Sequence, residues 1–353
     1  MRSILKSSSI SLSLLILAST PLLAAAVYIP EGSAGSVLVV EAETGDVIKR
    51  ISGLEAIHGL SGAPGVRYIV AGSFQELSRE DSMQTDKPAA ISAEDHQAHH
   101  SSSGSSGPAG DGTVSIVTVL DTQTEEIVHR LEVPAAVHHT AVSPDGTSAV
   151  ATHPGNDGIS IIDLQAMKVV GFVATGPTPN YAVFSSDSER VYVTNTGNAT
   201  ISEVDVGKRI VTRNMIVGEA PEHLVAKSDD STLYVLDGDV GNVFEVSSAS
   251  GKVSRTFAIG DELHGIDLAE DENTLFVSAK GSNKFVAINL ATGDTQSVPL
   301  SPAPYHVTTV AGTGKVFVSS REMPKVWVVD QKTLSVSKEI AISGEGHQMV
   351  VVP

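Results

Sequence analysis

Apolar residues in this chain come in short runs of four to seven, rich in Val, Ile, Tyr and Phe, and are broken by Gly, Asn, Asp and Ser. Fragments such as VYVTN, LYVLD and FVAIN alternate apolar and polar positions as half-buried β-strands do. No segment keeps a helical period. In one unit the pattern predicts strands at Tyr181 to Phe184, Val191 to Thr194, Thr200 to Val204 and Ile210 to Val217. The chain should be all-β.

These strands repeat. Asp121, Asp163, Asp205, Ser247, Asn289 and Asp330 each follow an apolar run, and the gaps between them are 42, 42, 42, 42 and 41 residues. Asp, Asn and Ser suit the first position of a β-turn, where the side chain accepts a nearby backbone hydrogen bond. Four strands in a unit of about 40 residues is the pattern of a β-propeller blade. The segment starting VYIPEGSAGSVLVVE aligns with the second and third strands of a unit, and the C-terminal GHQMVVVP aligns with a first strand. The sequence therefore predicts a seven-bladed propeller with four strands per blade. Its ring is closed by N-terminal strands pairing with the C-terminal strand.

The VYVTN strand, the SPDG and SSDS turns and the 42-residue spacing resemble the YVTN-type β-propeller family over residues 27–353. That resemblance implies the fold and leaves the activity open, since one scaffold carries many functions.

Residues 1–26 read as a secretory signal peptide: Arg2 and Lys6 precede the apolar run Leu14 to Leu17, and small residues follow at Ala24 to Ala26. Export to a periplasm is the expectation. No later run approaches the roughly 20 apolar residues of a spanning helix, so no membrane insertion is expected after cleavage. A formal net charge of −18 disfavours nucleic acid and suits cations. The absence of cysteine excludes disulfides, thiolate zinc sites and cysteine-held clusters.

One blade carries an insertion. Glu41 and its equivalent Asp121 lie 80 residues apart, and the excess falls at residues 74–112, a Ser-, Gly-, acid- and His-rich stretch read as a disordered loop. It contains His96, His99 and His100.

Six histidines occupy one repeat position: His58, His139, His223, His264, His306 and His347, with Tyr181 in the remaining unit. At the double histidine, counting from opposite sides picks His138 or His139. A propeller would gather these imidazoles at one channel mouth, where three from neighbouring blades could hold zinc. Glu31, His153, Asn195 and Asp237 share the end of the second strand on the same face, and His153 and Asp237 are candidate additional ligands. The motifs GxSxG, P-loop and HExxH do not occur.

An exported propeller with a histidine-bearing loop and a histidine-lined site resembles the periplasmic zinc metallochaperone of a zinc ABC transporter. Nitrous oxide reductase shares a histidine-rich propeller, but it also has a cysteine-containing copper domain that this chain lacks. The first resemblance implies zinc as cargo, with copper less favoured because methionine clusters are missing. It also implies delivery to the transporter's solute-binding protein by a monomer. The alternatives are a metal-dependent lactonase or lyase using Glu31, Asp237 or Tyr181 as base, and a metal-free interaction propeller.

Overall fold

The computed structural model describes residues 25–78, 113–260 and 262–352. The chain forms a seven-bladed β-propeller of antiparallel four-stranded sheets. Blade 1 combines Val350–Val352 with Ala26–Pro30, Ser36–Glu41 and Val47–Ser52. The C-terminal strand is innermost and pairs Tyr28 with Val350 and Ala26 with Val352, so the two ends close the ring as expected. Blades 2 to 7 begin at Ile57–Ser61, Thr140–Val142, Pro179–Phe184, Pro221–Ala226, Leu263–Leu268 and Pro304–Val310.

The turn residues act as the repeat suggests. Asp121 Oδ1 accepts the Gln123 and Thr124 amides, Asp163 Oδ1 those of Gln165 and Ala166, and Asp330 Oδ1 those of Lys332 and Thr333. Each carboxylate fixes the hairpin between third and fourth strands.

Seven apolar cores hold the ring, and each lies between two adjacent blades rather than within one. Tyr28 and Val39 of blade 1 pack with Leu60 and Leu120 of blade 2. Around the ring, the last core joins Phe317 and Val328 of blade 7 to Val27, Ile29 and Met349 of blade 1. No blade can bury its faces alone, so closure is what stabilises the fold. Trp327 lies 1% exposed in the core between blades 6 and 7. Among the described residues no helix is long and apolar enough to cross a membrane.

Two polar ties reinforce closure. Glu31, fully buried, accepts Arg50 Nη2 at 2.8 Å, Ser36 Oγ at 2.6 Å and the Ser343 amide at 2.8 Å. Burial raises its pKa, but these bonds outweigh burial and leave it below the ordinary value. Ser33 Oγ donates to Glu345 at 2.8 Å.

The start of the insertion is more ordered than its composition suggests. Leu77–Ser78 pairs with Val114 and Thr113, and Glu76 accepts the Ala136 amide at 3.0 Å. Residues 74–78 of the segment read as 74–112 thus belong to blade 2, because Leu77 finds a strand partner, and residues 79–112 lie outside the described residues.

Candidate metal centre

The innermost strand of each blade carries the cluster residues near or just before its start. The structure brings together His58, His138, His139, Tyr181, His223, His264, His306 and His347. All seven imidazoles are buried, none more than 7% exposed. His139 lies 4.9 Å from His223 and 5.4 Å from His306, centroid to centroid, and His223 lies 4.9 Å from His306. This is a packed cluster on the axis rather than an open ring at a mouth.

Two local devices allow such crowding. Gly59 and Gly265 directly follow His58 and His264. A Cβ on Gly59 would sit 2.7 Å from the Thr140 amide, and one on Gly265 would sit 2.2 Å from the Tyr305 carbonyl. Only glycine lets these neighbouring strands approach. Hydroxyls on the second strands then link blade to blade. Thr152 Oγ1 accepts the His139 amide and donates to the Asn180 carbonyl, each within 3.0 Å. Thr194 likewise joins the Tyr181 amide to the Glu222 carbonyl, and Ser278 joins the Gly265 amide to the Tyr305 carbonyl. The threonine of VYVTN is therefore an inter-blade tie, a role its sequence context did not disclose.

One site offers three nitrogens to one point. A ligand nitrogen from each of His139, His223 and His306 lies within 4.8 Å of the other two. The three histidines come from blades 3, 5 and 7, which are alternate blades, where the sequence suggested neighbours. Blades 3, 5 and 7 carry histidine at the inner strand position, whereas strand register places Gly59 and Gly265 there in blades 2 and 6; His58 and His264 lie one residue earlier, against the His138 carbonyl (Nδ1 to O 2.7 Å) and Glu222. His139 Nδ1 donates to the Asn180 carbonyl at 3.0 Å, which leaves Nε2 as a lone pair. The Nε2 atoms of His139, His223, His264 and His306 are all buried without a hydrogen-bond partner.

Electrostatics keep these rings neutral. Burial, then the neighbouring imidazoles, pushes His139, His264 and His306 well below the ordinary histidine pKa. Burial and His138 take His223 down to about 3. Neutral lone pairs are what a divalent transition ion requires. Tyr181 packs on His139 and His223 at 4.7 and 4.6 Å, and its hydroxyl accepts from Gln348 Nε2 at 3.2 Å. Burial raises its pKa, so it stays a neutral phenol.

His138 and His139 both join the cluster. The His139 amide bonds to Thr152 as the Tyr181 amide bonds to Thr194, so His139 holds the repeat position and His138 precedes it. The strand-end candidates are placed differently. His153 bonds Ala136 O through Nδ1 at 3.2 Å and Ser160 Oγ through Nε2 at 2.9 Å, so both nitrogens are committed within its blade. Asp237 Oδ2 accepts the Glu219 and Ala220 amides, and Oδ1 those of Asp239 and Val240. The expectation that these two supply ligands therefore gives way to a structural role, in which they hold their own loops. Asn195 donates to Thr200 and Ser202, and Glu31 is the closure tie described above. His96, His99 and His100 lie outside the described residues.

Sequence reasoning missed Glu222 and Tyr305. Both immediately precede a cluster histidine, in PEHL and PYHV, and that adjacency was the available signal. Glu222 Oε2 lies 3.4 Å from His264 Nδ1, and burial raises its pKa to about 7.

Comparison with known proteins fits the propeller fold. The YNCE-like beta-propeller family matches residues 169–352. The chain belongs to that family. No curated protein matches the sequence. Among solved structures, a protein of Bacteroides uniformis named as a candidate 6-phosphogluconolactonase is 14% identical, with a TM-score of 0.70 over 93% of this chain and 99% of that one. A similarly named protein of Bacteroides fragilis is 12% identical, with a TM-score of 0.70 over 95% and 100%. Kuenenia stuttgartiensis hydrazine synthase is 18% identical, with a TM-score of 0.60 over 66% and 84%. At these identities the likeness is one of fold for this YNCE-like propeller.

Proposed function

We propose that this YNCE-like propeller is a zinc carrier, with the ion as cargo at His139, His223 and His306. The observation that carries the reading is the set of buried, partnerless Nε2 atoms in this triad. A buried polar atom left unpaired costs about 1–3 kcal/mol, so an empty cluster of this kind is a cost to the fold that a bound ion would remove. Zinc–nitrogen bonds of about 2.0–2.1 Å place tetrahedral ligands roughly 3.4 Å apart. The triad nitrogens lie within 4.8 Å of one another, so a contraction of at most about 1.4 Å matches that spacing. An all-nitrogen donor set without thiolate suits zinc.

The carrier would act in the periplasm as a monomer and pass zinc to the solute-binding protein of a zinc ABC transporter. In this reading His96, His99 and His100 form a transfer site, which rests on the sequence alone. A carrier is preferred to a lactonase or lyase because Glu31, Asp237 and Tyr181, the available bases, are each held in structural bonds. It is preferred to a metal-free interaction propeller because such a module has no use for unpaired axial imidazoles.

The test is metal analysis and zinc titration of untagged full-length protein against a competing chelator, with melting followed in parallel. At free zinc 100-fold above Kd, binding stabilises by about 2.7 kcal/mol, roughly 4 °C for a chain of this size. Absent metal and unchanged melting would overturn the proposal.

A further inference from the structure

His264 stands beside the triad with its ring unusually well fixed. It stacks face to face on Tyr305 at 3.6 Å with 6° between planes, and Arg321 lies 5.5 Å over the same tyrosine. Its Nδ1 faces Glu222 Oε2 at 3.4 Å. Its Nε2 is buried without a partner, and its ring centre is 4.3 Å from His223 and 5.0 Å from His306. Strand Pro221–Ala226 thus presents a triad ligand, His223, next to a carboxylate that reaches the following blade's imidazole.

We propose that Glu222 is a positioning residue that sets His264 as a fourth nitrogen ligand, so the centre has a closed four-nitrogen state as well as an open three-nitrogen one. The inference rests on the metal-carrier reading and adds how the ion is retained. A carboxylate accepting from Nδ1–H fixes the tautomer with its lone pair on Nε2, orients the ring and makes the imidazole a better donor. Tyr305 limits the ring to motion in its own plane, and a shift in that plane would bring Nε2, which lies outside the three-nitrogen group, to the ion. Release would then start with His264 leaving, because it is the one ligand held from outside the triad and, at 7% exposure, is nearer solvent than any of the three.

The experiment uses full-length protein loaded with cobalt(II) or zinc alone. X-ray absorption should count four nitrogen ligands in the wild type and three, with an added oxygen, in Glu222→Ala and His264→Ala. Zinc loss to a chelator should speed up about 10–100-fold in both, with no further gain in the double variant. Glu222→Gln, which can still accept from Nδ1–H, should fall between. In metal-free protein, imidazole 15N shifts should show His264 protonated at Nδ1 and lose that preference in Glu222→Ala. Wild-type release rates in Glu222→Ala, or additive effects in the double variant, would overturn the assignment, as would a carboxylate oxygen found directly on the metal. A wild type that binds no metal would instead sink the carrier reading itself, and the 15N result would still report whether Glu222 accepts from His264.

Discussion

His58 donates through Nδ1 to the carbonyl oxygen of His138, 80 residues further along the chain, at 2.7 Å. One bond thereby ties blade 2 to blade 3 at the axis and turns the His58 ring toward His347, whose centroid is 4.0 Å away. The same logic joins His139 to Asn180. Each bond fixes one imidazole's orientation, and for His139 it leaves Nε2 free to face His223 and His306. The cluster's asymmetry follows from register, since blades 2 and 6 have glycine where blades 5 and 7 have histidine.

Replacing a triad histidine should separate binding from stability. His306→Leu removes a buried nitrogen that has no partner in the metal-free protein. Zinc affinity should drop by more than the roughly 10–100-fold typical of an outer-shell loss. Metal-free stability should instead rise by about 1 kcal/mol, because an unsatisfied polar atom has gone. Chemical denaturation without metal, set beside a zinc titration, checks both. A large loss of metal-free stability would show that His306 serves packing alone.

Much of this was legible in the sequence, and the gaps have physical causes. The 42-residue spacing and the turn carboxylates at Asp121, Asp163 and Asp330 fix blade number and hairpins, because these interactions are local. Ring closure followed from the complementary ends. Which imidazoles meet was misjudged, because His58 and His264 were counted level with the triad histidines, while strand register places Gly59 and Gly265 at that position, one residue later. His153 and Asp237 look like site residues by register, yet local backbone groups reach them first. Glu222 was hidden because its partner, His264, lies 42 residues away.

Acid should destabilise the metal-free protein. His139, His153, His223, His264 and His306 have depressed folded-state values, with His153 at about 4 through burial. Their contribution is present above the ordinary 6.5 and is lost as pH falls toward the folded values. Asp267, raised by burial to about 6, and Glu222, at about 7, act in the opposite sense and lose stability as pH rises through those values. Five groups outweigh two, each contributing up to about 1.4 kcal/mol per pH unit. Denaturation midpoints should therefore fall from pH 6.5 to 4.5, and His153→Gln should make the decline shallower. A midpoint that rises on acidification would contradict the neutral, buried cluster.

Closure gives a separate stability prediction. Glu31→Ala strands the Ser36 hydroxyl and the Ser343 amide and releases Arg50. Arg50 is 42% exposed and can turn to water, so the ion pair itself contributes little. The loss should be about 2–3 kcal/mol, mostly from the buried partners. Because Ser343 leads into the His347 segment, hydrogen exchange should quicken first at Val350–Val352 and its partner Ala26–Pro30. Uniform exchange around the ring would mean that closure does not depend on Glu31.

Thr194→Val tests the inter-blade ties. The substitution keeps shape but removes the hydroxyl that accepts the Tyr181 amide and donates to the Glu222 carbonyl. Both backbone groups are then left unpaired at the axis, so stability should fall by about 1–3 kcal/mol. The Glu222 backbone also loses its anchor, and Glu222 and His223 share that strand. Zinc release should therefore quicken although the Thr194 hydroxyl bonds backbone groups rather than an imidazole. Thr194→Ser, which keeps the hydroxyl, should restore most of both properties. Thr212→Val serves as the control: its hydroxyl bonds only within blade 4, to Glu203. If Thr194→Val and Thr212→Val released zinc at the same rate, the tie would be a matter of local strand stability and would not position the metal centre.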